Sequence, residues 1–243
     1  MKITTISLFP EIFTCLDMGI TGRAQTHKLV ELTHSQLRDY STQADGRIDD
    51  KPYGGTGGMV MSPEPIYRAL KDHVRAPTDL VIHLSPCGQT FNQTIAKQLS
   101  THSHLLFLCS RYEGIDQRLT PHIDLTLSLG DFVISGGEIA AACMIDAVIR
   151  EIPGALGNAQ SLKEDSHQHG LLDYPHFTRP WQWHGQSPQD VLRSGNHSLI
   201  DDWKRQQSIG RTWLLRPDLL LKKNLSDIDI KDLTAFLKQH NWE

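Results

Sequence analysis

The sequence lacks the features that mark several large classes of protein. No run of apolar residues approaches the roughly 18 that a membrane-spanning helix needs. The first residues, MKITTISLFP, lack the long apolar core of a secretion signal. None of the four cysteines belongs to a C-x-x-C pair, and Cys109 and Cys143 lie in apolar runs, so we expect both to be small core residues. These absences predict a cytoplasmic protein with no membrane partner and no disulfide framework.

A large excess of one charge is also missing. The chain has 24 Lys and Arg against 28 Asp and Glu, a net charge of −4. This balance excludes the overall basic character of many nucleic-acid-binding proteins. Residues 1–160 carry 13 basic and 17 acidic side chains, whereas residues 176–243 carry 10 and 8. The C-terminal part is therefore the better candidate for contact with a polyanion.

Several common motifs are absent. The glycine-dense segment Tyr53–Met59 (YGGTGGM) is not a phosphate-binding loop, because no Gly-Lys-Ser/Thr follows it. It is either a flexible surface loop or a place where a nucleotide or RNA backbone approaches closely. No G-x-S-x-G nucleophile motif occurs, and the two H-x-H pairs lack other ligands at metal spacing. We therefore predict no metal-ligating residue.

What is present is an alternation of apolar strands and helices. The pattern predicts strands at Lys2–Leu8, Asp79–Ser85, Leu105–Cys109 and Ile123–Leu129, and helices at Glu11–Met18, Phe91–Leu99 and Glu138–Arg150. Pro86 is expected to end the second strand. Such an order is typical of an α/β fold with a mostly parallel sheet covered on both faces.

The composition changes after this region. Residues 157–180 are polar and are punctuated by Gly and Pro, which is typical of a linker or mobile loop. Further helices are predicted at Pro188–Leu192, Asn196–Ser208 and Ser226–His240. We expect three parts: a catalytic domain at 1–160, a mobile interdomain linker at 161–175, and a small all-helical domain at 176–243.

Three loops that follow predicted strands have unusual chemistry: Ser85–Gly88, Ser110–Asp116 and Gly130–Glu138. Ligands of parallel sheets bind outside the carboxyl ends of the strands, so neighbouring strands would bring these loops to one pocket. In Ser128–Glu138 (SLGDFVISGGE), glycines flank an apolar stretch that could pack on a flat ring. By itself the segment is equally consistent with an ordinary strand-to-helix turn.

The segment IDLTLSLGDFVISGGE, together with Leu108–Arg118 (LCSRYEGIDQR), resembles the bacterial tRNA (guanine-N1)-methyltransferase family. The resemblance extends through ISLFPEIF, DDKPYGG, LSPCG, EDS…GLLDYPHFTRP, SGNH and GRTWLLRPDLL, in the order of that family. That family methylates the guanosine just 3′ of the anticodon, position 37 of tRNA. Its members are trefoil-knot (SPOUT) methyltransferases that form homodimers with the active site at the subunit interface.

The resemblance implies S-adenosyl-L-methionine as methyl donor. By matching motif positions, its contacts would come mostly from the backbone of Leu84, Ser85, Pro86, Ser110, Tyr112, Glu113, Leu129, Gly130, Asp131, Phe132, Val133, Ile134, Gly136 and Gly137. The family usually has glycine at the position of Ser110, and a proline in the glycine loop that is absent here. A serine presents the same backbone groups unless a positive φ is required.

The resemblance also assigns the chemistry. Asp165 matches the general base that removes the N1 proton, and Arg150 matches the arginine that stabilises charge on O6. The residues alone would favour a solvated loop aspartate and an exposed Asp146–Arg150 pair at i,i+4. The family is associated with magnesium dependence, although no local ligand cluster demands the ion.

The C-terminal domain would then bind tRNA. Candidate phosphate contacts are Arg179, Lys204, Arg205, Arg211, Arg216 and Lys222, and candidate stacking residues are Trp181, Trp183 and Trp213. Two alternatives stay open: a related knotted methyltransferase acting on another RNA or atom, and a non-catalytic RNA-binding protein that retains a donor pocket.

Overall fold

The computed structural model describes residues 1–55, 57–157 and 164–240. These residues form two compact units, Met1–Ala159 and Gln160–Glu243. The predicted catalytic domain ends at residue 160 and the predicted linker begins at residue 161. Both boundaries lie outside the described residues. The roles expected for the domains stay predictions.

The first unit is built on a parallel sheet. The strands are β1 (Lys2–Ser7), β2 (Glu31–Gln36), β3 (Asp49–Asp50), β4 (Val60–Met61), β5 (Leu80–Thr90), β6 (His104–Cys109) and β7 (Leu125–Ser128). Five of them form one sheet in the order β2-β1-β6-β5-β7, in which each neighbouring pair is parallel. The α/β prediction with a mostly parallel sheet is therefore confirmed. β3 and β4 form a separate short antiparallel pair.

Helices cover both faces of this sheet. They are α1 (Gly19–Thr26), α2 (Pro63–His73), α3 (Gln93–Leu99) and α4 (Gly137–Arg150), with 3-10 helices at Pro10–Asp17, Leu37–Tyr40 and Gln117–His122. Along β6, Leu105 and Phe107 pack into the core beneath α1, α3 and α4, whereas Leu106 and Leu108 pack into the core that includes α2. Both faces of this central strand are thus buried, as its uninterrupted apolar sequence predicts.

Cys143 does not belong to the core. Its neighbours Ala142 and Met144 are buried, but Cys143 lies on the exposed side of α4, whereas Cys109 is buried as expected. The alanine-rich run around Cys143 forms a helix, so its apolar residues do not all point to the same side.

The prediction that Pro86 ends the second strand is wrong. β5 continues to Thr90, and its register against β7 shifts, so that Leu84 and Gln89 both pair with Leu127. Residues 85–88 therefore form a bulge, which is where a strand tolerates a proline. Gly88 fits there because a Cβ at this position would lie 2.6 Å from backbone atoms of Leu127.

The second unit contains α5 (His197–Leu215), α6 (Pro217–Leu221) and α7 (Asp227–Gln239), preceded by a 3-10 helix at Asp190–Arg193. The predicted helix Pro188–Leu192 is this 3-10 turn, and α5 extends seven residues beyond the predicted end at Ser208. Ser226 begins α7 with a capping box, in which its hydroxyl and the Asp229 side chain bond each other's backbone N–H. Trp203 and Phe236 are buried, and the ring of Phe236 lies against Gly210 of α5.

The described part of the predicted linker, residues 164–175, belongs to this second unit. Its backbone is attached to α5, since the N–H of Leu172 donates to Thr212 Oγ1 at 2.9 Å and the hydroxyl of Ser208 donates to the Leu172 carbonyl. Whether this segment moves when a substrate binds stays a prediction.

Gly88→Ala tests the bulge. The added Cβ meets backbone rather than a flexible side chain, so we expect a loss of about 1–3 kcal/mol in the free energy of unfolding. Gly157→Ala is the matched control, because no atom of the described residues lies within 4 Å of a Cβ there and φ is not positive. Urea unfolding of both variants measures the difference. Equal stability of the two variants would contradict the tight approach of β5 to β7.

Candidate functional site

A cavity of about 310 Å³ lies between the bulge of β5 and the carboxyl ends of β6 and β7. The three loops that were predicted to converge all contribute to it. Twelve of the fourteen residues predicted to bind the donor line the cavity: Leu84, Ser85, Pro86, Ser110, Tyr112, Glu113, Leu129, Phe132, Val133, Ile134, Gly136 and Gly137. Gly130 and Asp131 do not line it. The fold therefore groups most of the predicted set, and what these residues bind stays a prediction.

Ser110 joins two of the loops. Its hydroxyl donates to the carbonyl of Leu84 at 3.0 Å, and its own carbonyl accepts from the N–H of Gly137 at 2.9 Å. The φ of Ser110 is not positive, so serine at this position causes no backbone strain. The substitution of the family's usual glycine thus leaves the backbone groups in place and adds one hydrogen bond.

The start of α4 lies unusually close to the end of β6. A Cβ on Gly137 would be 3.0 Å from the Cα of Cys109 and 3.2 Å from the nitrogen of Ser110. Glycine at this position therefore lets the helix begin directly beside the cavity. The N–H groups of the first turn, with the positive end of the helix dipole, lie at the cavity wall.

The loop after β6 has a strained backbone at its tip. Tyr112 has a φ of 58°, in the left-handed region that few non-glycine residues adopt. The next residue, Glu113, donates its N–H to the Met59 carbonyl at 3.0 Å, and its side chain lies against Gly58. The end of the glycine-dense segment, at Gly58 and Met59, is thus packed on the site loop. Thr56 within that segment lies outside the described residues.

An ion pair that the sequence did not indicate lies beside the cavity. The side chain of Glu138 is fully buried, and the Nε of Arg111 lies 3.1 and 3.2 Å from its two carboxylate oxygens. The Arg111 guanidinium also lies over the ring of Phe9, 4.3 Å from its centroid. Burial of Cys109, followed by the nearby charge of Glu138, raises the pKa of that thiol well above its usual value. Arg111 therefore lowers the cost of a buried charge and links the β6 loop to α4.

One wall of the cavity is apolar. Phe132 and Val133 are largely exposed, whereas Ile134 packs against the core. Ile139, in the first turn of α4, is exposed as well. This arrangement leaves apolar side chains at and near the mouth of the cavity without cover from residues of the same chain that the structure describes.

The two predicted catalytic residues belong to different units. Arg150 is half-buried and is the last residue of α4 in the first unit. Asp165 is half-buried in the second unit, where it lines a cavity of about 430 Å³ together with Tyr174, Lys204 and other residues. The structure describes each residue within its own unit.

Glu164, the neighbour of Asp165, is held in a network that the sequence did not indicate. It accepts a hydrogen bond from the Tyr174 hydroxyl at 2.5 Å and lies 3.3 Å from Lys204 Nζ. Burial and the hydrogen bond to Glu164 raise the pKa of Tyr174. Burial acts to lower the pKa of Lys204, but its bonds to Tyr174 and Glu164 outweigh that effect and raise it. This cluster attaches the segment next to Asp165 to α5.

Several predicted phosphate contacts are already paired within the second unit. Lys204 pairs with Glu164, Arg205 with Asp202 and Asp232, and Arg216 with Asp218. Arg179 and Lys222 are exposed and make no ion pair with the described residues. Arg211 is half-buried, and its Nε has no hydrogen-bond partner among those residues.

Two kinds of feature, a metal-binding cluster and a membrane-spanning helix, are absent among the described residues. In residues 1–55, 57–157 and 164–240, no group of three or more His, Cys, Asp or Glu side chains is arranged to hold a metal ion. Across the same residues, no helix combines the length and the apolarity needed to cross a bilayer.

Comparisons with known proteins find the same family over nearly the whole chain. The family model described as tRNA (Guanine-1)-methyltransferase TrmD matches residues 1–222. A protein of Exiguobacterium sibiricum named tRNA (guanine-N(1)-)-methyltransferase is 48% identical over 238 residues, which cover 97% of each chain. Proteins of the same name from Clostridium beijerinckii and Staphylococcus carnosus are 46% and 44% identical and cover 96% and 98% of this chain, and 98% of their own lengths.

Glu138→Gln tests the buried ion pair. The change leaves the partly buried Arg111 guanidinium without a counter-charge, so we expect a loss of about 3 kcal/mol in the free energy of unfolding. Glu64→Gln breaks an exposed pair with Arg68, in which both side chains are 53% exposed, and should cost less than about 0.5 kcal/mol. Denaturant unfolding of the two variants gives the comparison, and similar losses would show that the pair does not hold the loop.

Proposed function

The chain belongs to the tRNA (guanine-1)-methyltransferase family, and we propose that it transfers a methyl group from S-adenosyl-L-methionine to N1 of the guanosine at position 37 of tRNA. The observation that carries the proposal is that the bulge of β5 and the loops that follow β6 and β7 meet at one cavity. In a parallel sheet this is where a ligand binds. The family match over residues 1–222 supports methylation of a tRNA guanine as the reaction served by that cavity.

The cavity fits the donor in size and chemistry. Its volume of about 310 Å³ lies within the range of roughly 300–1,000 Å³ for small-molecule sites. Phe132 and Ile134 offer apolar surface for an adenine ring, and the backbone around Ser110 and Leu84 offers polar groups. When bound, S-adenosyl-L-methionine supplies an electrophilic methyl group. The proposed contacts are those predicted above, including Gly130 and Asp131.

Asp165 is proposed as the general base. Guanine N1 carries a proton that has to leave as the new N–CH₃ bond forms and the S–CH₃ bond breaks, and a carboxylate can accept it. Its neighbour Glu164 is anchored by Tyr174 and Lys204, which supports a defined position for this part of the chain.

Arg150 is proposed to stabilise the negative charge that develops on guanine O6 as the proton leaves N1. A fixed cation gains in effect where water is excluded, and Arg150 is half-buried at the end of α4.

The finer architecture is also proposed. We infer a deep trefoil knot in the first unit, a homodimer with the active site at the subunit interface, and a cytoplasmic location. The exposed apolar side chains Phe132, Val133 and Ile139 support a second copy covering the mouth of the cavity, since monomers rarely leave such groups together in water.

The second unit, with its basic residues, is proposed to bind the tRNA. We also propose that the activity depends on magnesium, as in the family, and we assign no residue as a ligand of the ion.

Asp165→Asn tests the base. The amide keeps the shape of the side chain but cannot accept the proton, so we expect methyl transfer to fall by at least about 100-fold. Donor affinity, measured by calorimetry on the same sample, should stay within about twofold. Asp190→Asn, at an exposed acid in the second unit, is the matched control and should retain full turnover. Normal turnover by Asp165→Asn would remove this residue from the mechanism.

The reaction itself is tested on the intact enzyme. Incubation with methyl-labelled donor and total tRNA, followed by mass spectrometry of the nucleosides, should yield 1-methylguanosine. Label in a ribose or in another base would favour a different knotted methyltransferase activity. Absence of label, with tRNA binding retained, would favour a non-catalytic RNA-binding protein.

A further inference from the structure

Trp183 lies on a tight turn in the second unit. Its backbone N–H and carbonyl exchange hydrogen bonds with Gln186 at 2.9 and 3.0 Å. The two residues between them, His184 and Gly185, have φ values of 47° and 75°. Two consecutive left-handed residues between hydrogen-bonded partners are typical of a type I′ hairpin turn. The backbone that carries the Trp183 side chain is therefore fixed in position.

The turn forms one side of a cavity of about 400 Å³. Its lining is aromatic, polar and basic, without a carboxylate: His176, Phe177, Thr178, Arg179, Pro180, Trp181, Trp183, Gln186, Ser187 and Pro188. From His176 to Gln189 the sequence contains no acidic residue, in a protein with a net charge of −4. This cavity consequently suits a ligand that has flat rings and negative charge.

The neighbouring tryptophans have partners, whereas Trp183 is mostly open to solvent. Trp203 is 6% exposed and packs near Tyr174 and Phe177, at centroid distances of 6.2 and 6.4 Å. The Trp181 ring is covered by the guanidinium of Arg193, 4.6 Å from its centroid. Trp183 is 63% exposed, and its described ring contact is an edge-on one with His184. Core packing, the usual role of a tryptophan, does not account for it.

We propose that this cavity binds an unpaired nucleobase of the tRNA, which stacks on Trp183 while Arg179 contacts a neighbouring phosphate. The inference rests on the proposed function, because it adds a second contact with the same substrate. Aromatic side chains interleaved with cations are the usual platform for single-stranded nucleic acid. Paired bases already stack within their helix, so the occupant has to come from a loop or an end of the RNA.

The fixed turn also bears on affinity. Because the backbone that carries Trp183 is already fixed, less conformational freedom is lost when a base stacks on its ring. Arg179 is exposed and makes no ion pair within the described part of the chain, so a phosphate would not have to displace a carboxylate from it. Both features favour binding without rearrangement of this segment.

Trp183→Leu removes the stacking face and keeps apolar character. We expect KM for tRNA to rise by roughly 5- to 140-fold, the range found for the loss of one stacked base, with kcat and donor affinity within about twofold. Trp183→Phe retains an aromatic face and should recover most of the affinity. Ile228→Ala, at another apolar residue that is 60% exposed in this unit, is the control and should leave KM unchanged.

Direct binding separates this inference from the proposed reaction. Fluorescence anisotropy of the full-length protein with a labelled anticodon stem-loop, and with a fully paired RNA duplex of the same length, needs no catalysis. Trp183→Leu should weaken binding of the stem-loop and leave binding of the duplex unchanged. Equal affinities of wild type and Trp183→Leu for the stem-loop, or equal weakening for both RNAs, would overturn the stacking site. Failure of the wild type to methylate tRNA would overturn the proposed function instead.

Discussion

A fully buried carboxylate requires a partner, and the site in the first unit depends on the one that Glu138 finds in Arg111. The pair joins the loop after β6 to the first turn of α4, and their separation would leave a buried charge uncompensated. Ser110 adds the connection to β5 through the Leu84 carbonyl. Three segments far apart in sequence are thereby held around one cavity by the protein alone, as a preorganised binding site requires.

Much of the first unit was predictable because its central strands are buried on both faces. A short, uninterrupted apolar run such as Leu105–Cys109 is typical of a strand that is buried on both faces of a sheet. β2 (Glu31–Gln36) was missed because it is an edge strand with a polar sequence, ELTHSQ, and its place depends on pairing with β1. α2 was missed because two prolines stand in its first turn, where a helix accepts them. The register shift of β5 past Pro86 is set by contact with β7, which no local pattern encodes.

One part of the site was predictable from the residues themselves, and other parts were not. The convergence of the three loops follows from the rule for parallel sheets, and the structure groups them as expected. The Arg111–Glu138 pair spans 27 residues and leaves no spacing signal, while Glu138 alone resembles an ordinary acid at a helix start. The roles of Asp165 and Arg150 came only from the family resemblance. A loop aspartate and a helix-end arginine carry no distinctive pattern, and their proposed chemistry depends on a substrate that brings N1 and O6 to them.

The central claim is that the cavity between the bulge of β5 and the ends of β6 and β7 is the methyl-donor site. The most direct measurement is a crystal structure of the protein with S-adenosyl-L-homocysteine, the product of the proposed transfer. We predict ligand density between Ser110 and Leu129, with the adenine against Phe132 or Ile134 and polar contacts made mainly by the backbone. Density at another site, with this cavity holding only water at saturating ligand, would contradict the claim.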